Sequence, residues 1–157
     1  MSATVSHHLV RVCWHGPLLV EEVCNGNWSK KRGLYQVYGQ HVVFGPEALL
    51  YIGMTNGQTF GKRFEQHKSW LQYESDVCVR LGIIDSPDDL TLLAQVEALT
   101  IWWHSPPYNS KNIWKYKGDV RLHVRNGGQR GRLVAEYMSH WGEAWEEAKV
   151  EAPKGER

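Results

Sequence analysis

The sequence predicts an α+β fold, because hairpin-like strands precede helices instead of alternating with them regularly. At residues 33–54, the segments GLYQVYG and ALLYIGM alternate well enough to predict two neighbouring strands. Residues 86–104, SPDDLTLLAQVEALTIWWH, predict the clearest helix, since apolar side chains recur every three or four positions. Residues 119–138 form two alternating arms around a glycine turn, which is typical of a β-hairpin.

The composition is that of one folded domain. The 157 residues are 42% hydrophobic and 22% charged, and no apolar run approaches the roughly 18 residues that a membrane span needs. We therefore expect a single domain over residues 1–157 with no membrane contact. The N-terminus lacks a basic start followed by a long apolar core, which favours a cytoplasmic location. Three cysteines at unrelated spacings, Cys13, Cys24 and Cys78, indicate reduced thiols.

The N-terminal region is interpreted as an addition to the fold. Residues 9–24 predict two short strands broken at Gly16 and Pro17. Further along, HVVF at residues 41–44 is a candidate hairpin arm.

Helices dominate the middle of the chain. Residues 59–72 follow a turn and have helical spacing, and residues 76–84 predict another strand. In the long helix we expect Ser86 to cap the N-terminus. Its apolar stripe is expected to contain Leu92, Val96, Leu99 and Trp103. The segment WGEAWEEAKV, residues 141–150, predicts a final short helix.

Two tyrosines stand out on the neighbouring strands. Strand periodicity places Tyr35 on one face of its strand, and places Tyr51 on the same face as Leu49 and Gly53. A glycine at this position clears space over a tyrosine ring.

The helices add charged side chains that suit phosphodiester chemistry. Arg63 and His67 are four residues apart and project from one helical face. Glu97 lies on the flank of an apolar stripe, where an unpaired carboxylate costs several kcal/mol, so a metal ion or Arg63 is the expected partner. With Asn109 after the proline turn, these residue types supply a base, a phosphate clamp, a proton carrier and a metal ligand.

At these positions the chain resembles the GIY-YIG nuclease family, whose name-giving motifs occur here as GLY at residues 33–35 and YIG at residues 51–53. The ordered family positions correspond to Tyr35, Tyr51, Arg63, His67, Glu97 and Asn109. Leucine replaces isoleucine in the first motif, and Asn112 competes with Asn109 for the last role.

The resemblance covers residues 33–112 and implies a small antiparallel central sheet flanked by helices. Residues 1–32 would then be an N-terminal β extension. Residues 113–157 would be a C-terminal extension, formed by the hairpin and the short helix.

The resemblance also implies chemical roles. Glu97 would hold one Mg²⁺ or Mn²⁺ ion, and Arg63 would clamp the scissile phosphate. Tyr35 would accept the proton of the attacking water, although with an ordinary pKa near 10 only about 0.1% of a tyrosine is ionised at pH 7, a deficit of roughly 4 kcal/mol. His67 would relay the proton, Tyr51 would orient the water or the phosphate, and Asn109 would support the edge of the site.

The expected partner is double-stranded DNA. The net charge of +1 gives no bulk attraction to nucleic acid, so contacts must come from local basic clusters. The candidates are Arg121, Arg125, Arg130, Arg132, Lys111 and Lys115. The C-terminal hairpin is expected to enter a groove as a two-stranded ribbon or to track phosphates.

The function expected is therefore a Mg²⁺-dependent DNA endonuclease. No separate DNA-binding domain is evident, which favours a compact type II restriction enzyme; a homodimer on DNA is allowed. Two alternatives stay open: a nuclease of DNA repair or processing that recognises structure, and a catalytically idle module that binds nucleic acid.

Overall fold

The structure is a computed structural model, and it describes residues 7–139. Within this range, one sheet of six strands is flanked by three α-helices. The strands are β1 His7–Leu18, β2 Leu34–His41, β3 Gly45–Met54, β4 Cys78–Ile83, β5 Arg121–Gly128 and β6 Glu136–Met138. The helices are α1 Val20–Asn25, α2 Phe60–Leu71 and α3 Leu90–His104, and a 3₁₀ helix, Asn27–Lys30, leads into β2.

The sheet is mixed, with the strand order β3-β2-β4-β1-β5-β6. Strands β1 and β5 are parallel, and every other neighbouring pair is antiparallel. The α+β class is confirmed, but the sheet is neither small nor wholly antiparallel as we expected.

The N-terminal strand lies inside the sheet, so its interpretation as an addition to the fold is wrong. Strand β1 lies between β4 and β5: its residues 7–14 pair with β5, and its residues 13–18 pair with β4. Its alternating residues Val10, Val12 and Trp14 are buried in the core. A pattern of local alternation identifies a strand but does not reveal which distant strands it pairs with.

The second strand predicted in residues 9–24 is wrong, because the chain turns into helix α1 there. Strand β1 continues through the Gly16–Pro17 peptide, which is cis, to Leu18, with an irregular register after His15. In α1 the Glu22 carboxylate accepts a 2.6 Å hydrogen bond from the Leu19 N–H, which satisfies a donor at the N-terminus of the helix.

Helices cover both faces of the sheet. One face carries α1 and α2, whose apolar side chains pack against β2 and β4; the buried residues are Val23, Tyr35, Val37, Phe60, Phe64, Leu71, Val79 and Leu81. The opposite face carries α3, which packs against β1, β2, β3 and β5. Because strand side chains alternate between faces, β2 contributes Tyr35 to the first layer and Leu34 to the second.

Helix α2 matches its prediction closely. The hydroxyl of Thr59 caps it by accepting a hydrogen bond from the Lys62 N–H at 3.4 Å, and Phe60, Phe64 and Leu71 are buried.

Helix α3 begins later than its sequence predicts, with Asp89 rather than Ser86 as the cap. The Asp89 carboxylate accepts a hydrogen bond from the Leu92 N–H at 3.0 Å, whereas the Ser86 carbonyl only closes the preceding turn. The buried stripe contains Leu93, and Trp103 is 39% exposed instead of buried. The helix ends at His104, and its C-cap Ser105, whose φ of 43° is left-handed, precedes two prolines.

The β2–β3 hairpin differs from expectation at two points. Residues 42–44 form its turn rather than an arm, and their side chains are exposed. A bulge follows in β3, because Val37 pairs with Tyr51 while Tyr38 pairs with Leu49. The extra residue turns Leu49 to the α3 face, so Leu49 does not share a face with Tyr51.

The predicted C-terminal hairpin is confirmed, but it is not a free two-stranded ribbon. Strands β5 and β6 pair in antiparallel fashion, and the other edge of β5 pairs with β1. The helix predicted at residues 141–150 lies outside the described residues. No helix in residues 7–139 has the length and apolar character needed to cross a membrane.

The central position of β1 can be tested at Trp14. Its side chain is 1% exposed, and its indole N–H donates a 2.9 Å hydrogen bond to the Asn126 side chain. We expect Trp14→Ala to lower the free energy of unfolding by about 3–5 kcal/mol in urea denaturation. The exposed neighbour Arg11 provides the control, since Arg11→Ala should change it by less than about 0.5 kcal/mol. Equal effects of the two substitutions would contradict a core role for β1.

Candidate active site

The two motif tyrosines lie side by side on the α2 face of the sheet. Tyr35 of β2 pairs with Gly53 of β3, and Val37 pairs with Tyr51, so all four residues point to the same side. The two tyrosine rings stack with centroids 6.1 Å apart. Tyr35 is fully buried, whereas Tyr51 is partly exposed.

Gly53 is needed for this arrangement. A Cβ atom at this position would collide with the end of the Tyr35 ring and its hydroxyl, and would lie 2.8 Å from the Tyr51 ring. Both tyrosines line the site only because residue 53 has no side chain, which confirms the sequence-based interpretation of this glycine.

Helix α2 delivers Arg63 and His67 to the hydroxyl of Tyr35. The Arg63 Nε–H donates a hydrogen bond to the Tyr35 oxygen at 3.2 Å, and His67 Nε2 lies 2.6 Å from the same oxygen. The i, i+4 spacing therefore brings both side chains to one atom, as the sequence predicts.

Trp70 assigns the tautomer of His67. The Trp70 indole N–H, which can only donate, makes a 3.0 Å hydrogen bond to His67 Nδ1. Nδ1 must therefore be the acceptor, and in a neutral imidazole the proton then resides on Nε2. Consequently His67 donates to Tyr35.

The hydroxyl oxygen of Tyr35 thus accepts two hydrogen bonds, and its own O–H is free to point elsewhere. Two donors favour the phenolate, but burial in the core dominates and, with Tyr51, raises the Tyr35 pKa above its ordinary value despite the opposing effect of Arg63. Burial, followed by the charge of Arg63, lowers the pKa of His67 to about 4. His67 is therefore neutral with Nε2 already protonated, so it can relay a proton from Tyr35 only after a change of tautomer.

Glu97 reaches the same region from the opposite face of the sheet. It lies on α3, close to the backbone of Met54 at the end of β3. Burial raises its pKa to about 7, against the opposing effects of Arg63, the Met54 backbone and Lys111. Among residues 7–139, no lysine or arginine nitrogen lies within ion-pair distance of this carboxylate.

A single carboxylate, that of Glu97, is the group expected to hold Mg²⁺ or Mn²⁺. In the described part of the chain, no group of three or more His, Cys, Asp or Glu side chains could hold a metal ion. Zinc sites use three or four such ligands, whereas Mg²⁺ is commonly bound by one or two carboxylates together with water and substrate phosphates. A single partly buried carboxylate without an ion-pair partner suits the second type of site.

Asn109 supports the edge strand rather than contacting Tyr35 or Glu97. Its side-chain amide accepts a 3.0 Å hydrogen bond from the Ile52 N–H and donates one of 2.9 Å to the Ile52 carbonyl. Asn109 is buried, and it is Asn109 rather than Asn112 that makes this contact. The contact holds the strand that carries Tyr51.

The predicted DNA-binding arginines do not form one surface. Arg121 and Arg125 lie on the α2 side of β5 with His123, since Leu122 and Val124 point into the opposite core. The carboxylate of Glu136 on β6 bonds both His123 and Arg125, the latter at 3.3 Å.

Arg130 and Arg132 lie on the other side of the sheet. The Arg132 backbone N–H donates to the hydroxyl of Tyr38 at 2.9 Å, and the Arg130 carbonyl accepts from the side chain of Gln36. The two lysines predicted to bind DNA, Lys111 and Lys115, are both exposed. Lys111 lies close enough to Glu97 to lower the pKa of the Glu97 carboxylate.

Two features of the structure were not predicted from the sequence: a groove lined by basic residues, and a hydrogen-bond donor to His67. The groove, of about 580 Å³, is lined by Lys30, Lys31, Arg32, Ile83, Pro87 and Asp88. It adjoins the start of α2, because the Lys31 carbonyl accepts the Phe60 N–H at 2.8 Å. The donor is Trp70, whose only sequence signal is its position three residues after His67, on the same side of the helix.

The tautomer assignment predicts a measurable change in Trp70→Phe. This substitution keeps an aromatic ring but removes the donor that opposes a proton on Nδ1, so we expect the His67 pKa to rise from about 4 towards its ordinary value and both tautomers to be populated. Nitrogen chemical shifts of the histidine rings over a pH titration would report both effects. Trp103→Phe is the matched control, because the Trp103 indole donates to the Met138 carbonyl instead. An unchanged His67 titration would refute the assignment.

Comparison with protein-family models, with curated proteins and with solved structures found no match to this chain. The resemblance to GIY-YIG nucleases thus rests on its motifs and their order, and it stays a prediction.

Proposed function

We propose that this protein is a divalent-metal-dependent endonuclease that hydrolyses phosphodiester bonds in double-stranded DNA. One observation carries the proposal: Arg63 and His67 both donate to the hydroxyl of buried Tyr35, while Glu97 approaches the same cluster from the opposite layer. A carboxylate whose pKa burial raises, in a cluster with a guanidinium and two tyrosines, is typical of functional sites.

Arg63 is the proposed phosphate-binding group. Its Nε–H donates to Tyr35, and its Nη1 donates to the Gln66 side-chain oxygen over an N···O distance of 3.3 Å. These bonds fix the guanidinium and leave its remaining donors for phosphate oxygens. Such preorganised donors stabilise charge that develops in the transition state.

Glu97 would hold the metal ion, and the ion would offset the negative charge that builds up on the phosphate. The raised pKa of Glu97 means that metal and proton compete for the carboxylate near neutral pH. Arg63 and Lys111 favour the ionised form of Glu97 over its protonated form.

Tyr35 is the proposed proton acceptor, and burial makes this role costly. Its two donors stabilise the phenolate, whereas its core environment disfavours any charge. Added positive charge near Glu97 would shift the balance towards the phenolate. His67 contributes by donating from Nε2, and Tyr51 would orient the water or the phosphate.

A sequence-specific type II restriction enzyme is the first candidate. A nuclease that recognises DNA structure is the second, and one observation favours it: an aromatic cavity opens directly beside the site and is lined by Tyr51, His67, Trp70 and Tyr108. Incubating the protein with mixed genomic DNA and Mg²⁺ and sequencing the fragment ends distinguishes these two. DNA binding without cleavage would instead select an idle binding module.

Single substitutions test the assigned chemistry. We expect Tyr35→Phe to lower the single-turnover cleavage rate by about 10²-fold or more at saturating Mg²⁺, because the ring stays packed while the proton acceptor is lost.

Glu97→Gln should abolish cleavage yet retain DNA binding, since the metal loses its protein carboxylate. Tyr73→Phe serves as the control. Because the Tyr73 side chain is 81% exposed, this variant should cleave DNA at the parent rate. Parent-like cleavage by Tyr35→Phe would refute the tyrosine mechanism even if the protein is a nuclease.

The position of the arginines predicts which side of the sheet faces DNA. Arg121 and Arg125 lie on the same side as Tyr35, so replacing both with Gln should reduce the slope of log affinity against log salt by up to about one unit per lost phosphate contact. The double replacement of Arg130 and Arg132, on the opposite side, is the matched control and should leave the slope unchanged. The reverse result would place the duplex on the α3 side.

A further inference from the structure

An aromatic cavity of about 260 Å³ adjoins the candidate active site. Its walls are Tyr51 from β3, His67 and Trp70 from α2, and Tyr108 from the segment after α3. Tyr51 and His67 also belong to the candidate active site, so the cavity and the proposed phosphate site share a wall.

The Trp70 ring meets two of the other rings of the cavity edge to face. The Trp70 ring lies 5.9 Å from Tyr51 at 62° and 6.1 Å from Tyr108 at 72°. Each outer ring is held by a hydrogen bond: Trp70 donates to His67, and the Tyr108 hydroxyl donates to Glu74 at 3.1 Å. The Tyr108 backbone N–H also bonds the Leu50 carbonyl of β3 at 2.9 Å. The walls are therefore fixed in place without a ligand.

The size and chemistry of the cavity suit one planar ring system. Its volume lies just below the roughly 300–1,000 Å³ of sites for drug-sized ligands. Aromatic walls bind nucleobases by stacking, with little dependence on sequence. A ring held next to a phosphate clamp describes a nucleotide. We propose that this cavity binds a single nucleobase, unpaired or flipped out of the helix, beside the scissile phosphate.

This inference rests on the proposed nuclease function and specifies its substrate. A base inside a continuous duplex must be unstacked and unpaired before it can enter the cavity, whereas a base in a bulge or mismatch is already accessible. DNA that carries an unpaired base should therefore bind more tightly than the same duplex fully paired.

Binding of three labelled duplexes in EDTA, followed by fluorescence anisotropy, tests the inference without cleavage. The first duplex is fully paired, the second carries one central unpaired nucleotide, and the third has an abasic sugar at that bulge. We expect the parent protein to bind the base-containing bulge about tenfold more tightly than either of the others, as stacking of one base allows. The abasic bulge shares the bend of the helix, so it separates base binding from recognition of shape.

Variants at Tyr108 locate the effect. Tyr108→Ala removes a wall and should bring the affinity for the bulge down to that for the paired duplex, with binding of the paired duplex unchanged. Tyr108→Phe keeps the ring and loses only the bond to Glu74, so it should retain the preference. Thermal melts of both variants check folding, and Tyr73→Ala is the control for an exposed ring.

The outcomes separate this inference from the nuclease proposal. Equal affinity of the parent protein for all three duplexes, or a preference that survives in folded Tyr108→Ala, would overturn the nucleobase site while the nuclease function stands. A parent protein that binds none of the duplexes would overturn both.

Discussion

The outer edge of strand β3 is the constraint on which the candidate site depends. An edge strand presents unpaired backbone groups at every second residue, and these need partners. Here two partners come from the segment after α3: Tyr108 bonds the Leu50 carbonyl, and Asn109 bonds both backbone groups of Ile52. Glu97 of α3 lies close to the backbone of Met54 on the same strand. Satisfying the edge therefore also brings the asparagine and the aromatic wall to the strand that carries Tyr51.

Burial and charge oppose each other throughout the site. Desolvation disfavours the ionised forms of Tyr35, His67 and Glu97 alike, and Arg63 is the common source of opposing or reinforcing charge. In the absence of metal and DNA, the lowest-energy state holds a neutral tyrosine and a neutral histidine. Charged ligands would enter a site whose side chains are already oriented by hydrogen bonds, so little reorganisation is needed when they bind.

Local features of the sequence predicted most of what surrounds Tyr35. Spacing along α2 was sufficient to bring Arg63 and His67 together, and the alternation in β2 and β3 placed both tyrosines on one face. These relations depend on residues close in sequence, where backbone geometry fixes which side chains are neighbours.

What the sequence did not predict depends on contacts between distant residues or on small shifts of register. The central place of β1 requires pairing with β5, more than a hundred residues away. One bulge residue reverses the face of Leu49, and the return of the loop after β5 carries Arg130 and Arg132 to the side opposite Arg121. Asp89 rather than Ser86 caps α3 because Ser86 and Asp89 are joined by a backbone hydrogen bond in a turn that precedes the helix.

The parallel pairing of β1 and β5 has a consequence for the order of folding. During synthesis, β1 can pair with β4 once about half the chain has emerged, but its other edge stays open until residues 121–128 arrive. Contacts of such large sequence separation form slowly, because the loop between them must close first. Until then, alternating apolar residues lie along an unpaired strand edge, which other chains can join. Nascent chains truncated before β5 should therefore be the species of this protein most prone to aggregate and most dependent on chaperones.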